Sequence, residues 1–485
     1  MATIPETLNN LPCICGFEKE IEEATTHNLA LYSSGADFDS DIAFDNIKSC
    51  ATVALHMQQP LIPAGSNDLQ SAEIISNLKY MFEHLAEGDN HNAGVFKWCY
   101  ERLGEFIPQL VAEGKKPRIM LEYTGCLLYG LRQMGANEVI EKLQLLVKNY
   151  SRNVEWLGCP WGHAVAPSTP VQDYKLQVRA WQHYFAGLFG LDALARVKGF
   201  SPSEMALPNH PDIAYEFVRT LKECGFLWVL VQEHTVERPE NGYCPELRHF
   251  PHRLVCRNSK GEEASIICLI KTQGSDTKLV AQMQPWYEAI CLQRLNYQNK
   301  SLPQIVTQIA DGENGGVMMN EFPPKYLEVV RNSSDTETPL VNGTEYLEYL
   351  FSQGLTEMDF PVLQPIMQKR IWERFTPGDG PEKLQQVIED LKKEDGRFHL
   401  DGGSWTNNIS WVHGYDSLLG PMERASSVFF EQIVKKGVPT NDKKYQTALF
   451  YLLCSQTSCY RYWGQGIWTD YGREICRRAI VTMNG

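Results

Sequence analysis

SLPQIVTQIADGENGGVMMNEFPP, residues 301–324, is the stretch that decides the fold. From Gln304 to Ala310 it is a run of apolar and β-branched residues, the mark of a strand buried on both faces. Asp311 ends the run, and Gly312, Gly315 and Gly316 force an open turn. An acid at the carboxyl end of a core strand, followed by glycines, stands where β/α barrels place reacting groups. Taken alone, an Asp in this setting more often caps the turn. The rest of the chain shifts that balance.

Working outward, short apolar runs recur, each ending in polar or aromatic residues. Ala51–Leu55 leads into His56, Gln58, Gln59 and Pro60, and Lys116–Glu122 leads into Tyr123 and Gly125. Asn153–Leu157 carries Glu155 and Trp156 and runs into a turn-rich segment with Trp161 and His163. Glu204 occupies a loop before a helix over Pro211–Cys224, and the strand Phe226–Val231 ends at Gln232, Glu233 and His234. A hairpin is expected over 250–270, around Asn258–Gly261. Helical spacing fills the intervals, including 70–115 with a polar break at 87–93, and Tyr174–Ala195. Strands alternating with helices imply the α/β class and a parallel sheet, and polar groups gathered at one set of strand ends imply a barrel with a single mouth.

Past Asn332–Pro339 the pattern turns helical, over Glu382–Lys393, Met422–Lys436 and Lys444–Ser455. One insert, HLDGGSWTNNISWVHGYD at 399–416, interrupts it. The expected organisation is an extension over 1–48 with a helix in 17–28, a catalytic barrel over 49–335, and a helical domain over 340–485 that closes the cleft.

Composition narrows the partners. The chain has 485 residues and a net charge of −14, which argues against nucleic acid or an anionic membrane surface and suits a neutral substrate. The first sixteen residues lack the basic end and apolar run of a signal peptide, and no stretch approaches the roughly 20 apolar residues of a bilayer span. The 14 cysteines include no CxxC pair, so they are expected to be reduced thiols of a cytoplasmic protein. His56 has no second His or Asp at ligand spacing, so neither a catalytic metal nor a cofactor is expected.

Two acids, Glu204 and Asp311, therefore lie at strand ends of one barrel, with tryptophans and tyrosines at 156, 161, 286, 405, 411, 462, 463 and 468. Glycoside hydrolysis needs a pair of carboxyl groups, and sugar rings stack on aromatic faces. Each tryptophan singly is more at home in a core, but the clusters at 405–411 and 460–468 sit in glycine-containing loops.

These residues fall into motifs in a telling order: LHMQQP (55–60), VEWLGCPWGH (154–163), GFSPSEMA (199–206), DGENGG (311–316), GSWTNNISWVHG (403–414) and SCYRYWGQG (458–466). The series resembles glycoside hydrolase family 57. The resemblance implies an incomplete seven-stranded parallel β/α barrel with a C-terminal helical domain over its mouth. It implies a retaining hydrolase or transferase acting on α-glucans or maltooligosaccharides, of α-amylase or 4-α-glucanotransferase type, by transglycosylation where an acceptor sugar replaces water. It places the nucleophile at Glu204 and the acid/base at Asp311, with His56, Gln59 and His163 contacting the sugar and Trp156, Trp405 and Trp463 as stacking walls. Trp411 is a further candidate ring. The chain departs from the pattern at Gln58, where many members have a His, at Ser201 and Ser203, and at Cys459. The departures bear on specificity first. The alternative is a glucan-binding or scaffold protein of the same fold with weak or absent turnover.

Overall fold

The apolar runs are strands, and seven of them close on one another. The computed structural model describes residues 3–26, 30–34, 37–64, 68–272, 280–313, 320–405 and 413–485. Gly315, Gly316 and Trp411 lie outside these. The strands that build the site are β1 (Ser49–Met57), β2 (Ile119–Tyr123), β3 (Val154–Gly158), β4 (Gly199–Phe200), β5 (Trp228–Gln232), β6 (His252–Arg257), β7 (Glu263–Lys271), β8 (Gln304–Asp311) and β9 (Val362–Pro365). All but β6 and β9 pair in parallel around a ring, in chain order from β1 to β8, with β8 returning to β1. The result is a seven-stranded barrel, one strand short of the eight-stranded form. β6 folds back antiparallel on β7, as the hairpin signal at Asn258–Gly261 predicts, and β9 pairs with β6.

The apolar runs are continuous because both strand faces are dry. Inward residues, among them Ala54, Met120, Leu157, Trp228, Leu269 and Ile309, form one cluster. Outward residues such as Val53, Leu121, Val229 and Val306 join a second cluster under the surrounding helices. Each such aliphatic side chain contributes about 1.5–3 kcal/mol by leaving water. β4 went unread because two residues, Gly199 and Phe200, carry no period. Gly199 fits there because a side chain would collide with Trp228, whose ring lies 2.3 Å from its Cβ position.

Among the helices, α1 (Val171–Phe189) and α2 (Pro211–Glu223) pack outside the barrel, and α3 (Gly343–Ser352) seals its amino end. Asn342 and Glu345 form a capping box at the start of α3. Arg118 donates to both Glu345 oxygens at 2.9 and 3.0 Å, and Glu155 accepts from the backbone N–H and hydroxyl of Thr344. Residues 340–352 thus pack on the barrel floor, inside the expected helical domain over 340–485. The sequence break there is real, but α3 buries its apolar face on the sheet. The amino-terminal extension braces the same floor: Leu31 and Tyr32 donate backbone N–H groups to Glu348, and Asp41 pairs with Arg118.

Helices α4 (Asp416–Phe429), α5 (Lys443–Ser455) and α6 (Ile467–Asn484) pack together at the carboxyl side. Gln177 of α1 ties them to the barrel, donating to the Leu453 carbonyl at 3.1 Å and to Gln456 at 2.9 Å. Among the described residues no helix is long and apolar enough to cross a membrane.

Candidate active site

Strand register sets the first layer of the site. Asp311 at the end of β8 lies beside His56 on β1, and His56 lies beside Glu122 on β2. In a parallel sheet, register partners share a face, so these three side chains point into the mouth together. The loops after β3 and β4, next around the ring, bring His163 and Glu204. Five neighbouring strand ends thus supply five groups.

The loops reach inward through costly backbone geometry. His163, Glu204 and Met205 have φ of +56°, +58° and +49°, in the left-handed region that side chains disfavour. Such conformations persist where surrounding structure over-determines them. Here the helical domain does so. Trp405 donates its backbone N–H to the Glu204 carbonyl at 3.1 Å and its indole N–H to Glu204 Oε2 at 2.6 Å. Leu207 and Gly403 exchange backbone hydrogen bonds of 2.9 and 3.1 Å. Ser458 donates its N–H to the His163 carbonyl at 3.2 Å, while its hydroxyl meets His163 Nδ1 at 2.7 Å.

The groups surround a cavity of about 330 Å³. Glu204, Asp311, Glu313, His56 and His163 form its polar side, with Gln58 and Gln59 beside them. Phe96, Cys459 and Trp463 complete the wall, and Trp463 is 48% exposed.

Electrostatics differentiate the groups. Burial raises the Glu204 carboxyl above the usual carboxylate range, and repulsion from Asp311 adds to this, against the Trp405 hydrogen bond and His56. Burial disfavours charge on His56, but its 2.8 Å contact with Glu122 prevails, and Asp311 and Glu313 add to it, so the imidazole is pushed up to about 10. His163 stacks on that ring at 4.6 Å, and burial together with the His56 charge holds it well below the ordinary value. One imidazolium and one neutral imidazole therefore lie face to face.

The residues expected from the sequence divide accordingly. Glu204, Asp311, His56, Gln59, His163 and Trp463 line the cavity, and Trp405 holds Glu204 from the helical domain. Gln59 is committed in part, its Oε1 accepting from Asn77 at 2.8 Å. Trp156 does not belong. It is 7% exposed among Tyr123, Phe185 and Phe189 on the outer face of β3, because its neighbours Glu155 and Leu157 take the inner face. Ser201 and Ser203 are buried beside Glu204, and Cys459 keeps a thiol pushed well up by burial. Gln58 lies against Cys459, with its Oε1 turned away to accept from Thr124 and Cys126. Sequence reasoning missed Glu122 and Glu313 as site residues. Glu313 was legible as the third letter of the DGEN turn, and Glu122 as the acid closing its strand. Among the described residues no group of three His, Cys, Asp or Glu is placed to hold a metal ion.

No family model and no curated relative matches the chain. Solved structures do. The chain superposes on the 4-α-glucanotransferase of Thermococcus litoralis with a TM-score of 0.53 at 16% identity, over 89% of this chain and 57% of that one. It superposes on a glycoside hydrolase family 57-type branching enzyme of Pyrococcus horikoshii with a TM-score of 0.53 at 12% identity, over 90% of this chain and 88% of that one. The fold is therefore of the family 57 type. The chain spans little more than half of the glucanotransferase and most of the branching enzyme.

Proposed function

We propose that the chain is a retaining enzyme of α-glucans, cleaving and re-forming or hydrolysing the glycosidic bond through a glycosyl-enzyme. The observation that carries this reading is the meeting of Glu204 and Asp311 in one cavity, with an aromatic ring at its wall and a second ring bonded to Glu204. The names of the two superposed enzymes, one moving α-glucan segments and one forming branches, support the same substrate class.

In this reading Glu204 attacks the anomeric carbon through Oε1, since the Trp405 indole N–H occupies Oε2. Asp311 protonates the departing oxygen, then removes a proton from water or an acceptor hydroxyl. The His56–Glu122 pair sets a positive charge among the carboxyls, and neutral His163 lies 3.8 Å from Glu204 Oε1, near enough to meet a sugar hydroxyl there. Trp463 gives a half-exposed face at the entrance, suited to the sugar that departs or accepts. We place the protein in the cytoplasm, in keeping with 14 cysteines that form no disulfide.

The test is incubation with maltooligosaccharides, reading reducing-end release and redistribution of chain lengths. Redistribution without new reducing ends is expected of a transferase, and new reducing ends of a hydrolase. Binding of the oligosaccharide with neither product would make the chain a glucan-binding protein and end the enzymatic reading.

A further inference from the structure

Glu313 is a third carboxyl in the cavity, and neither chemical step uses it. Its position is built with care. Gly312 before it donates to the His56 carbonyl at 2.7 Å and accepts from Arg102 at 3.0 Å. Gly312 also has no room for a side chain, since Met57 lies 2.3 Å from its Cβ position. Glu313 itself is 8% exposed, and its Oε1 accepts the backbone N–H of Gln58 at 2.7 Å. Its Oε2 is buried and has no hydrogen-bond partner among the described residues. Buried polar atoms in folded proteins are nearly always bonded, so an unpartnered one on a side chain that lines a cavity points to a group the cavity takes in as its side chains adjust.

The two oxygens are not equivalent. Oε1 faces a donor and must be an acceptor, which leaves Oε2 as the site for a proton. Resting on the assignment of Glu204 and Asp311 above, we infer that Glu313 works as a neutral carboxylic acid, its Oε2 hydroxyl donating a hydrogen bond to an oxygen of the bound sugar.

The surroundings agree. Burial comes first in pushing this carboxyl up to about 8, and Asp311 adds to it against His56 and the Gln58 N–H. The other titratable groups that face it are Arg102, which favours the anion, and Cys99, Tyr100 and Tyr123, all three held protonated by burial. Ionised carboxylates crowded around one cavity would repel, and keeping Glu313 neutral leaves the negative charge to Glu204, where attack needs it.

Two measurements test this. The first needs no substrate: the infrared difference between wild type and Glu313→Gln at neutral pH is expected to lose a protonated-carboxyl band, and loss of a carboxylate pair instead would overturn the inference. The second compares neutral replacements on maltooligosaccharide. Glu313→Gln keeps a donor and is expected to lower kcat/KM less than about tenfold, whereas Glu313→Leu, with none, is expected to lower it about 10–100-fold. Equal losses in the two variants would overturn it. So would a Gln variant dead on the natural substrate and spared on one with an activated leaving group, which would make Glu313 the acid. If wild type turns over no glucan, the Glu204–Asp311 reading fails, and the infrared result alone decides the state of Glu313.

Discussion

The two ends of the barrel bury the same kinds of side chain and treat them in opposite ways. At the amino end Arg118 is 1% exposed and both oxygens of Glu345 are bonded to it. Glu155, pushed up to about 7 by burial, accepts from Thr344 twice over. At the carboxyl end the titratable groups are as deeply placed, yet His163 Nε2 and Glu313 Oε2 are buried without a partner among the described residues. A saturated buried charge holds architecture in place, and an unpartnered group on a cavity wall leaves room for a ligand. Unpartnered buried atoms such as Asn342 Oδ1 and Arg461 Nε occur elsewhere too, so it is the cavity beside His163 and Glu313 that gives theirs meaning.

The largest effect that sharpens it belongs to Glu204. Glu204→Gln is expected to lower turnover by at least about 10⁴-fold, with an unchanged unfolding midpoint. A folded variant within tenfold of wild type ends the nucleophile assignment. Asp311→Asn comes next, with a loss of about 10²–10⁴-fold on natural glucans. Because an activated leaving group needs little protonation, its first step is expected to be partly spared; equal loss on both substrates makes Asp311 structural. At the other end, Glu345→Gln leaves the buried Arg118 with Asp41 as its remaining anion and is expected to cost about 3 kcal/mol of stability, with kcat of the folded fraction intact. A large fall in kcat with normal stability would collapse the contrast between the ends.

Glu122→Gln probes the carboxyl end by pH. His56 has its folded value raised from 6.5 to about 10, so between those values the folded state holds a proton that the unfolded state has lost. Its stabilisation is full below pH 6.5 and disappears as pH rises through about 10. Denaturant titrations across that window are expected to show a shallower decline in the variant than in wild type. Identical slopes would mean that His56 is not held charged by Glu122. The smallest effect is Trp463→Ala, about 1–3 kcal/mol of glucan affinity measured by calorimetry, with hydrolysis gaining on transfer as the entrance opens to water. Unchanged binding and product ratio would leave that ring outside the path of the sugar.

The fold was legible because barrel strands dry on both faces read as unbroken apolar runs, each with its polar groups at the same end. β4 escaped since two residues show no pattern. The place of 340–352 was not legible because α3 has the spacing of any amphipathic helix, and only three-dimensional packing assigns it to the floor. Trp156 was misread for a related reason. With both faces buried, alternation does not tell inside from outside, and β3 turns its acid inward and its indole outward, against the usual expectation. Glu313 was passed over because an acid among glycines reads as a solvated turn. The Glu122–His56 pair depends on register between strands 66 residues apart, which local sequence does not encode.

The bond from Trp405 to Glu204 joins residues 201 positions apart, and that from His163 to Ser458 joins residues 295 apart. Both belong to the slowest class of contact a chain can make, since closing so long a loop precedes any reward for it. A nascent chain can thus complete its barrel strands while the Glu204 loop still has no clamp. The clamp can form only once Trp405 and Ser458 have been made, well after the last barrel strand, which ends at Asp311. The same dependence is expected to run backwards on heating, with the Glu204 loop released from its clamp while the barrel is still whole.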